Sequence, residues 1–256
     1  MEIYVGAAAR EGTPTRLQYS RRRASGVLQR LARPYTTWWM SKQRTTRLRG
    51  LPITVPVGVF PPRLFFSTKL VCRTVARTEV RGKRFLEVGC GSGAVSVVAA
   101  RQGARVTALD ISVAACAATR ANAAANAVVV DVLESDLFAA VGEGEQGVFD
   151  VVVITPPFFR HDPSTQLDHA FHAGSDFQYF RRLFAQLGAH LHDGTLCLLS
   201  LAEGCDPQIG RIAAQHGYRF VIHRRWMEWL QWTYVFRVER TEPSSAVHSD
   251  GRTLPT

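Results

Sequence analysis

Residues 85–93, Phe-Leu-Glu-Val-Gly-Cys-Gly-Ser-Gly, constrain this chain more than any other stretch. Phe85, Leu86 and Val88 make a short apolar run, and Gly89, Gly91 and Gly93 follow at alternate positions. Glycines in that spacing let a backbone turn sharply and approach a ligand closely. The next residues, Ala94 to Gln102, suit a helix. A helix starting there turns its free N–H groups back toward the loop. A strand, a glycine turn and a helix in succession open a parallel α/β sheet.

The alternation continues. Strands are expected at Arg84–Val88, Arg105–Leu109, Ala127–Leu133, Phe149–Ile154 and Gly194–Leu201. Between them, Ser112 caps a helix to about Asn126, and Asp176 caps one to about Leu191 with Phe177, Phe180, Leu183, Phe184 and Leu187 on one face. Asp206–His216 is a helix, and Arg219–Arg224 and Gln231–Val238 are late strands with no helix between them, so one runs against the rest. The continuous apolar character of Phe149–Ile154 fits a strand covered on both faces. The expected fold is α/β, a doubly wound, seven-stranded, mostly parallel sheet with a reversed last strand.

Before Lys83 the chain is different. Residues 1–84 hold 18 Lys and Arg against 3 acids, while residues 85–256 hold 13 against 18. Arg21–Arg22–Arg23 and Lys42 to Arg49 are interleaved with Tyr35, Trp38 and Trp39, and such a mixture can neutralise phosphates and stack on bases. A solvated basic arm is the plain alternative. Glu2, Glu11 and the lack of an amphipathic pattern count against an organelle transit peptide. Residues 1–20 read as irregular, Ser25–Ala32 as a short helix and 35–50 as without period. Leu51 to Pro62 is an apolar, proline-broken stretch that reads as an extended entry segment or an edge strand, and Thr68–Thr78 is a helix. The expected domains are a basic, partly disordered extension over 1–50, a single domain over 51–240, and a disordered tail over 241–256. Apolar residues make up 46% of the chain, enough for a core, and no apolar run reaches membrane-span length. Five scattered cysteines without a CxxC pair argue against a disulfide framework or zinc ribbon. With no apolar leader, a reduced cytoplasmic compartment is expected.

Seventeen residues after Gly93, the second strand closes on Asp110, placed to accept two ribose hydroxyls, with Ile111 beside it. Gly89, Gly91 and Ala94 also fit a dinucleotide loop. Glu87 tilts the choice, because a carboxylate in that strand repels a pyrophosphate and suits an ammonium. Phe85 to Gly93 resembles the first motif of class I S-adenosylmethionine-dependent methyltransferases. Asp110 resembles their ribose-binding acid. Ser135-Asp136-Leu137-Phe138 resembles the segment in which Asp136 and the Leu137 amide meet the adenine. The resemblance runs from about Leu51 to Arg240 and implies S-adenosyl-L-methionine as cofactor, with Glu87, Gly89, Cys90, Gly91, Gly93, Asp110, Ile111, Asp136, Leu137 and Thr155 around it.

The fourth strand ends in Thr155-Pro156-Pro157-Phe158. Prolines fix φ and stiffen the turn. The stretch resembles the (Asn/Asp/Ser)-Pro-Pro-aromatic motif of amino-methyltransferases, which implies that these four residues hold and orient a planar amino group. Thr155 departs from the motif's first position, and a threonine hydroxyl can still accept a hydrogen bond. Val57-Gly-Val-Phe60-Pro-Pro-Arg63 with Thr68, and Ala170 to Asp176, resemble the small-domain subgroup that includes the release-factor glutamine methyltransferases. The long helical N-terminal domain of those enzymes is replaced here by the basic residues 1–50.

Three acceptors follow: an exocyclic amine of an RNA base, a protein glutamine, or a small metabolite methylated on nitrogen or oxygen. A cofactor-fold binding module without catalysis is the alternative from another class. The expected partner is the methyl acceptor, an RNA or a protein, with no membrane and no metal. His161, His169 and His172 flank Asp162 and Asp168, but their spacing matches no ligand set and reads as a solvated lid, with His161 a candidate proton acceptor. Cys90 reads as a packing residue.

Overall fold

The computed structural model describes residues 3–4, 35, 38–62, 66–142, 144–165, 168–228 and 231–241. The expected helix at Ser25–Ala32, the triplet Arg21–Arg23, Arg63 and the tail past 241 lie outside the described residues.

The strands are β1 (Ile3–Tyr4), β2 (Arg44–Leu48), β3 (Leu51–Val55), β4 (Arg84–Val88), β5 (Arg105–Asp110), β6 (Asp131–Glu134), β7 (Phe149–Ile154), β8 (Leu191–Ala202), β9 (Tyr218–Glu228) and β10 (Gln231–Arg240). The helices are α1 (Phe66–Val75), α2 (Ala94–Arg101), α3 (Val113–Ala125), α4 (Gln178–Leu187) and α5 (Gln208–Gln215). The main sheet has the order β1-β9-β10-β8-β7-β4-β5-β6. Strands β4 to β8 pair in parallel, and β10 runs antiparallel to both β8 and β9. This is the expected doubly wound sheet with its reversed last strand. The two-residue β1, antiparallel to β9, adds an eighth strand where the sequence reads as irregular.

Two apolar layers cover the sheet. On one face α4 brings down Phe180, Leu183, Phe184 and Leu187, spaced as one helical stripe, onto Leu199, Phe220 and Phe236. On the other, Val71 and Val75 of α1 and Val95 and Val98 of α2 pack on Phe85, Val151, Val153 and Val235. Each fully buried Phe, Leu or Val contributes about 1.5–3 kcal/mol through removal of apolar area from water.

Residues 44–55 form a hairpin whose second strand lies in the segment expected to be extended or an edge strand and whose first strand falls where no period is read. Arg49 (φ 53) and Gly50 (φ 83) make its two-residue turn, so the boundary drawn after residue 50 falls inside that turn. In β2, Thr46 and Leu48 face inward while Thr45 and Arg47 face solvent. Two asparagines of α3 hold the hairpin. Asn122 accepts from the Thr54 amide (2.8 Å) and donates to the Thr54 carbonyl (2.7 Å) and the Ser92 carbonyl (2.9 Å). Asn126 donates to the Pro52 carbonyl (2.8 Å). The hairpin is thereby tied to the helix behind the glycine loop.

Several expected boundaries shift, and three have a clear local cause. Strand β6 begins at Asp131 rather than Ala127. The end of α3 unwinds through Ala127 (φ 53), and the Val128 amide bonds back to the Ala123 carbonyl. Asp176 does not cap α4. Phe177 sits at the cap with φ 55, and Asp176 instead pairs with Arg181 (3.1 Å). Helix α4 stops at Leu187 and passes through a short 3₁₀ turn into β8, which starts at Leu191.

Candidate active site

Strand order reverses between β4 and β7, and in open α/β sheets the ligand crevice lies at such a switch point, beyond the carboxyl ends of the strands. A continuous cavity of about 1530 Å³ opens there. It is lined by every residue singled out from the sequence for cofactor or acceptor except Gly93: Glu87, Gly89, Cys90, Gly91, Asp110, Ile111, Asp136, Leu137 and Thr155 to Phe158.

The glycine loop is fixed from behind. The Gly89 and Cys90 amides both donate to the Leu109 carbonyl (2.9 Å each). Gly93 (φ 71) takes a left-handed conformation at the start of α2, and a Cβ there would lie 2.6 Å from Thr119 Cγ2. It therefore serves the packing of α2 against α3 rather than the cavity wall. A Cβ on Gly91 would meet nothing nearer than Phe60 Cβ at 3.9 Å, so the loop is open on that side. Cys90 packs as expected, accepting from Thr119 Oγ1 (3.2 Å), and burial holds its thiol well above the usual range.

Asp110 is half-buried at the end of β5. Its Oδ2 accepts from the Gly91 amide (2.8 Å) and its Oδ1 from the Ser112 amide (2.9 Å). Burial raises its pKa, opposed by those amides. Each oxygen keeps a further acceptor direction. Ser112, the expected cap, accepts from the Ala115 amide (3.3 Å).

Glu87 is 2% exposed, and its Oε2 accepts from the Ser96 amide (2.8 Å) on α2. Burial lifts its pKa from the ordinary 4.5 to about 8, against the pull of the Ser96 hydrogen bonds. Burial thus favours the protonated form of the side chain, and an approaching cation favours the ionised one. Because the folded-state pKa lies above the unfolded one, Glu87 favours folding fully below pH 4.5, and this contribution disappears as pH rises toward about 8. The stability difference between wild type and Glu87→Gln, followed by urea denaturation, is expected to decline across that interval. A difference flat from pH 4.5 to 8 would contradict a buried, proton-holding Glu87.

Asp136 is half exposed and pairs with Arg182 of α4 (2.7 Å). Leu137 (φ 53) is buried beside it, in a turn braced by Ser135, whose hydroxyl donates to the Leu137 carbonyl (2.9 Å).

The two motifs meet at Thr155. Its hydroxyl donates to the Gly89 carbonyl (2.7 Å), and its amide donates to the Val88 carbonyl (3.2 Å). The proton of that hydroxyl is used inside the protein, and its lone pairs are what it has to offer a ligand. Pro156 is buried and Phe158 half-buried. The Phe158 and Phe159 amides both donate to the Phe171 carbonyl (3.2 and 2.9 Å), and Phe171 packs on Phe60 (centroids 5.4 Å apart). The loop before α4 therefore holds the proline motif, and the segment leading into the domain packs on that loop through Phe60.

Several hydrogen bonds run within the described part of that loop. Asp168 accepts from Ser164 and Thr165, which brings its carboxyl down to about 2, and Asp162 accepts from the Ser175 amide (2.7 Å). His161 and His172 meet edge to face with centroids 5.1 Å apart. Among the described residues no three His, Cys, Asp or Glu side chains gather as metal ligands, and no helix is long and apolar enough to cross a membrane.

The sequence reading missed Tyr179, Arg182, Ser200 and Thr233, which also line the cavity. Tyr179 and Arg182 stand off the apolar stripe of α4 at i, i+3 spacing, a signal that the helical period carries. Ser200 and Thr233 interrupt apolar strands.

A model of the Methyltransferase small domain family matches residues 51–195. The ribosomal RNA small subunit methyltransferase C proteins of Shigella flexneri and Escherichia coli are each 38% identical to this chain over 125 residues. That region is 47% of this chain and 34% of those proteins, so the chain spans about a third of the length of the curated relatives it matches. Among solved structures, the T. thermophilus 16S rRNA N2 methyltransferase in complex with AdoMet and guanosine is similar in fold, with TM-score 0.59 and 22% identity over 78% of this chain and 50% of that one. The Pyrococcus abyssi tRNA uracil methyltransferase in complex with S-adenosyl-L-homocysteine has TM-score 0.52 and 17% identity over 77% of this chain and 44% of that one. With the motif, the cavity and a matched region covering more than half its length, the chain belongs to the Methyltransferase small domain family.

Proposed function

We propose that this chain is an S-adenosylmethionine-dependent methyltransferase acting on an exocyclic amino group of an RNA base. The observation that carries the reading is the Thr155–Gly89 hydrogen bond. A hydroxyl whose proton is already donated accepts from an incoming N–H, and it sits where the acceptor motif touches the glycine loop. Thr155 thus does the work of the polar side chain at the first position of the amino-methyltransferase motif.

The residues present fit the cofactor. Asp110 offers two acceptor oxygens for a vicinal diol, Gly91 leaves its side of the loop open, and Glu87 meets a cationic amine. When bound, S-adenosylmethionine supplies a sulfonium-activated methyl group. The chain's own contribution is position. Pro156 and Pro157 stiffen the turn, Phe158 offers a flat face for a base, and Thr155 orients the amine, which together is catalysis by proximity and orientation. Asp136 and Leu137 border the cavity just past the end of β6 and are assigned to the adenine. The catalytic domain is assigned to residues 51–240.

An RNA acceptor, rather than a protein glutamine, is supported by the names of the curated relatives and by the surface near the cavity. Tyr35 lines the cavity and packs on Trp38 (5.8 Å), over which Arg44 lies at 4.3 Å. Arg225 stacks on Trp232 (5.1 Å), beside the cavity-lining Gln231 and Thr233. Guanidinium–aromatic pairs of this kind suit phosphates and unstacked bases. Action in a reducing, cytoplasmic setting belongs to the same proposal and is supported by five free cysteines.

The test is transfer of label from methyl-labelled S-adenosylmethionine to ribosomal RNA, offered both as naked RNA and as assembled small subunits. The expected product is an N-methylated nucleoside after nuclease digestion. Label removed by protease instead, or found only in small metabolites, would overturn the RNA assignment while keeping the family.

A further inference from the structure

Beyond Thr155 the cavity continues along the sheet, away from the glycine loop. Side-chain alternation decides what lines it. Val153, Leu198 and Val235 belong to the apolar layer on the α1–α2 face, whereas Ile154, Leu199 and Leu201 belong to the opposite layer. Thr155, Ser200 and Thr233 therefore fall on the α1–α2 face of three neighbouring strands, and all three line the cavity. Ile154 pairs with Leu199 in parallel register, so Thr155 and Ser200 follow side by side, and Val235 pairs with Ser200 from the other flank.

Ser200 stands out in this row. It is 4% exposed, and its Oγ is buried without a hydrogen-bond partner among the described residues. A buried hydroxyl left unpaired opposes folding, and native proteins keep few of them. Alanine would fit the same space at no such penalty. A hydroxyl retained here, one strand over from the acceptor motif, is accounted for by a ligand that pairs with it.

We propose that Ser200 determines acceptor specificity, its hydroxyl hydrogen-bonding a ring or carbonyl heteroatom on the edge of the nucleobase whose amine rests on Thr155. This rests on the RNA-base reading above. Thr155 engages the reacting amine, and Ser200 reads the neighbouring edge of the same ring. A site built to pair with a polar edge rejects bases that leave it unpaired, because the buried group then stays unsatisfied.

The test is titration of guanosine, adenosine and cytidine, the nucleosides with exocyclic amines, into wild type and Ser200→Ala, each saturated with S-adenosylhomocysteine. Wild type is expected to prefer one of the three, and Ser200→Ala to bind that one about 10- to 100-fold more weakly, as fits loss of one buried hydrogen bond. S-adenosylhomocysteine affinity is expected to stay unchanged, and the melting temperature of the variant to hold or rise. Equal nucleoside binding by both proteins would overturn the proposal. So would a loss that comes with a lower melting temperature or weaker S-adenosylhomocysteine binding, which marks a structural role. A wild type that binds none of the three overturns it as well. Failure of the RNA reading is separate, since it shows in the labelling experiment as wild type that methylates no RNA.

Discussion

Asp110→Ala is expected to weaken binding of S-adenosylmethionine and S-adenosylhomocysteine by about 100- to 1000-fold, with cooperative unfolding preserved. The side chain closes the loop from the end of β5, holding the Gly91 amide at 2.8 Å and the Ser112 amide at 2.9 Å. Hydrogen bonds to a charged group contribute about 1.5–3 kcal/mol each, so losing acceptors for a diol together with the loop's anchor amounts to about 3–4 kcal/mol of binding. The fold should survive because β5 is held by its ladders to β4 and β6, not by this carboxylate. Asp110→Asn keeps one carbonyl acceptor and is expected to fall between wild type and alanine. Isothermal titration with S-adenosylhomocysteine reads both. Affinity within about fivefold of wild type in the alanine variant would remove Asp110 from the cofactor site.

Thr155→Val is expected to reduce turnover about 100-fold while S-adenosylhomocysteine affinity changes only a few-fold. Valine matches threonine in shape, so the change removes one hydroxyl and little else. Two consequences follow from one atom. The Gly89 carbonyl loses its 2.7 Å donor, and the acceptor amine loses the lone pair that orients it. Small displacements of a reacting group cost about 100-fold, and here both the loop and the amine are released. Thr155→Ser, which keeps the hydroxyl, is expected to retain activity within about tenfold. Single-turnover rates at saturating cofactor and RNA check the split. A valine variant with normal turnover would show that the hydroxyl serves packing alone.

Much of this architecture is legible in the residue order. The glycine loop, the apolar run of Phe149–Ile154 and the Ser112 cap of a helix running to about Asn126 depend on interactions within a few residues, and the fold keeps them as read. The errors arise where distant partners compete with local preference. The β2–β3 hairpin was hidden because Arg44, Arg47 and Arg49 mask a weak alternation, and what settles it is Asn122 and Asn126, about seventy residues away. Asp176 is a good cap by composition, but the bend at Phe177 (φ 55) aims it at Arg181 instead.

The candidate site divides the same way. Sequence alone determined the doubly wound topology, the family likeness and, Gly93 apart, a set of proposed site residues that line one cavity, because tight turns and strand ends need particular residues at fixed spacing. Only the tertiary structure decided that Gly93 serves helix packing, that burial raises the Glu87 pKa, that Thr155 spends its proton on Gly89, and that the Ser200 hydroxyl has no partner among the described residues. Those four facts depend on which atoms from different strands and helices come within hydrogen-bond or van der Waals distance, and on how much water is left around them. Neither quantity is a property of local sequence.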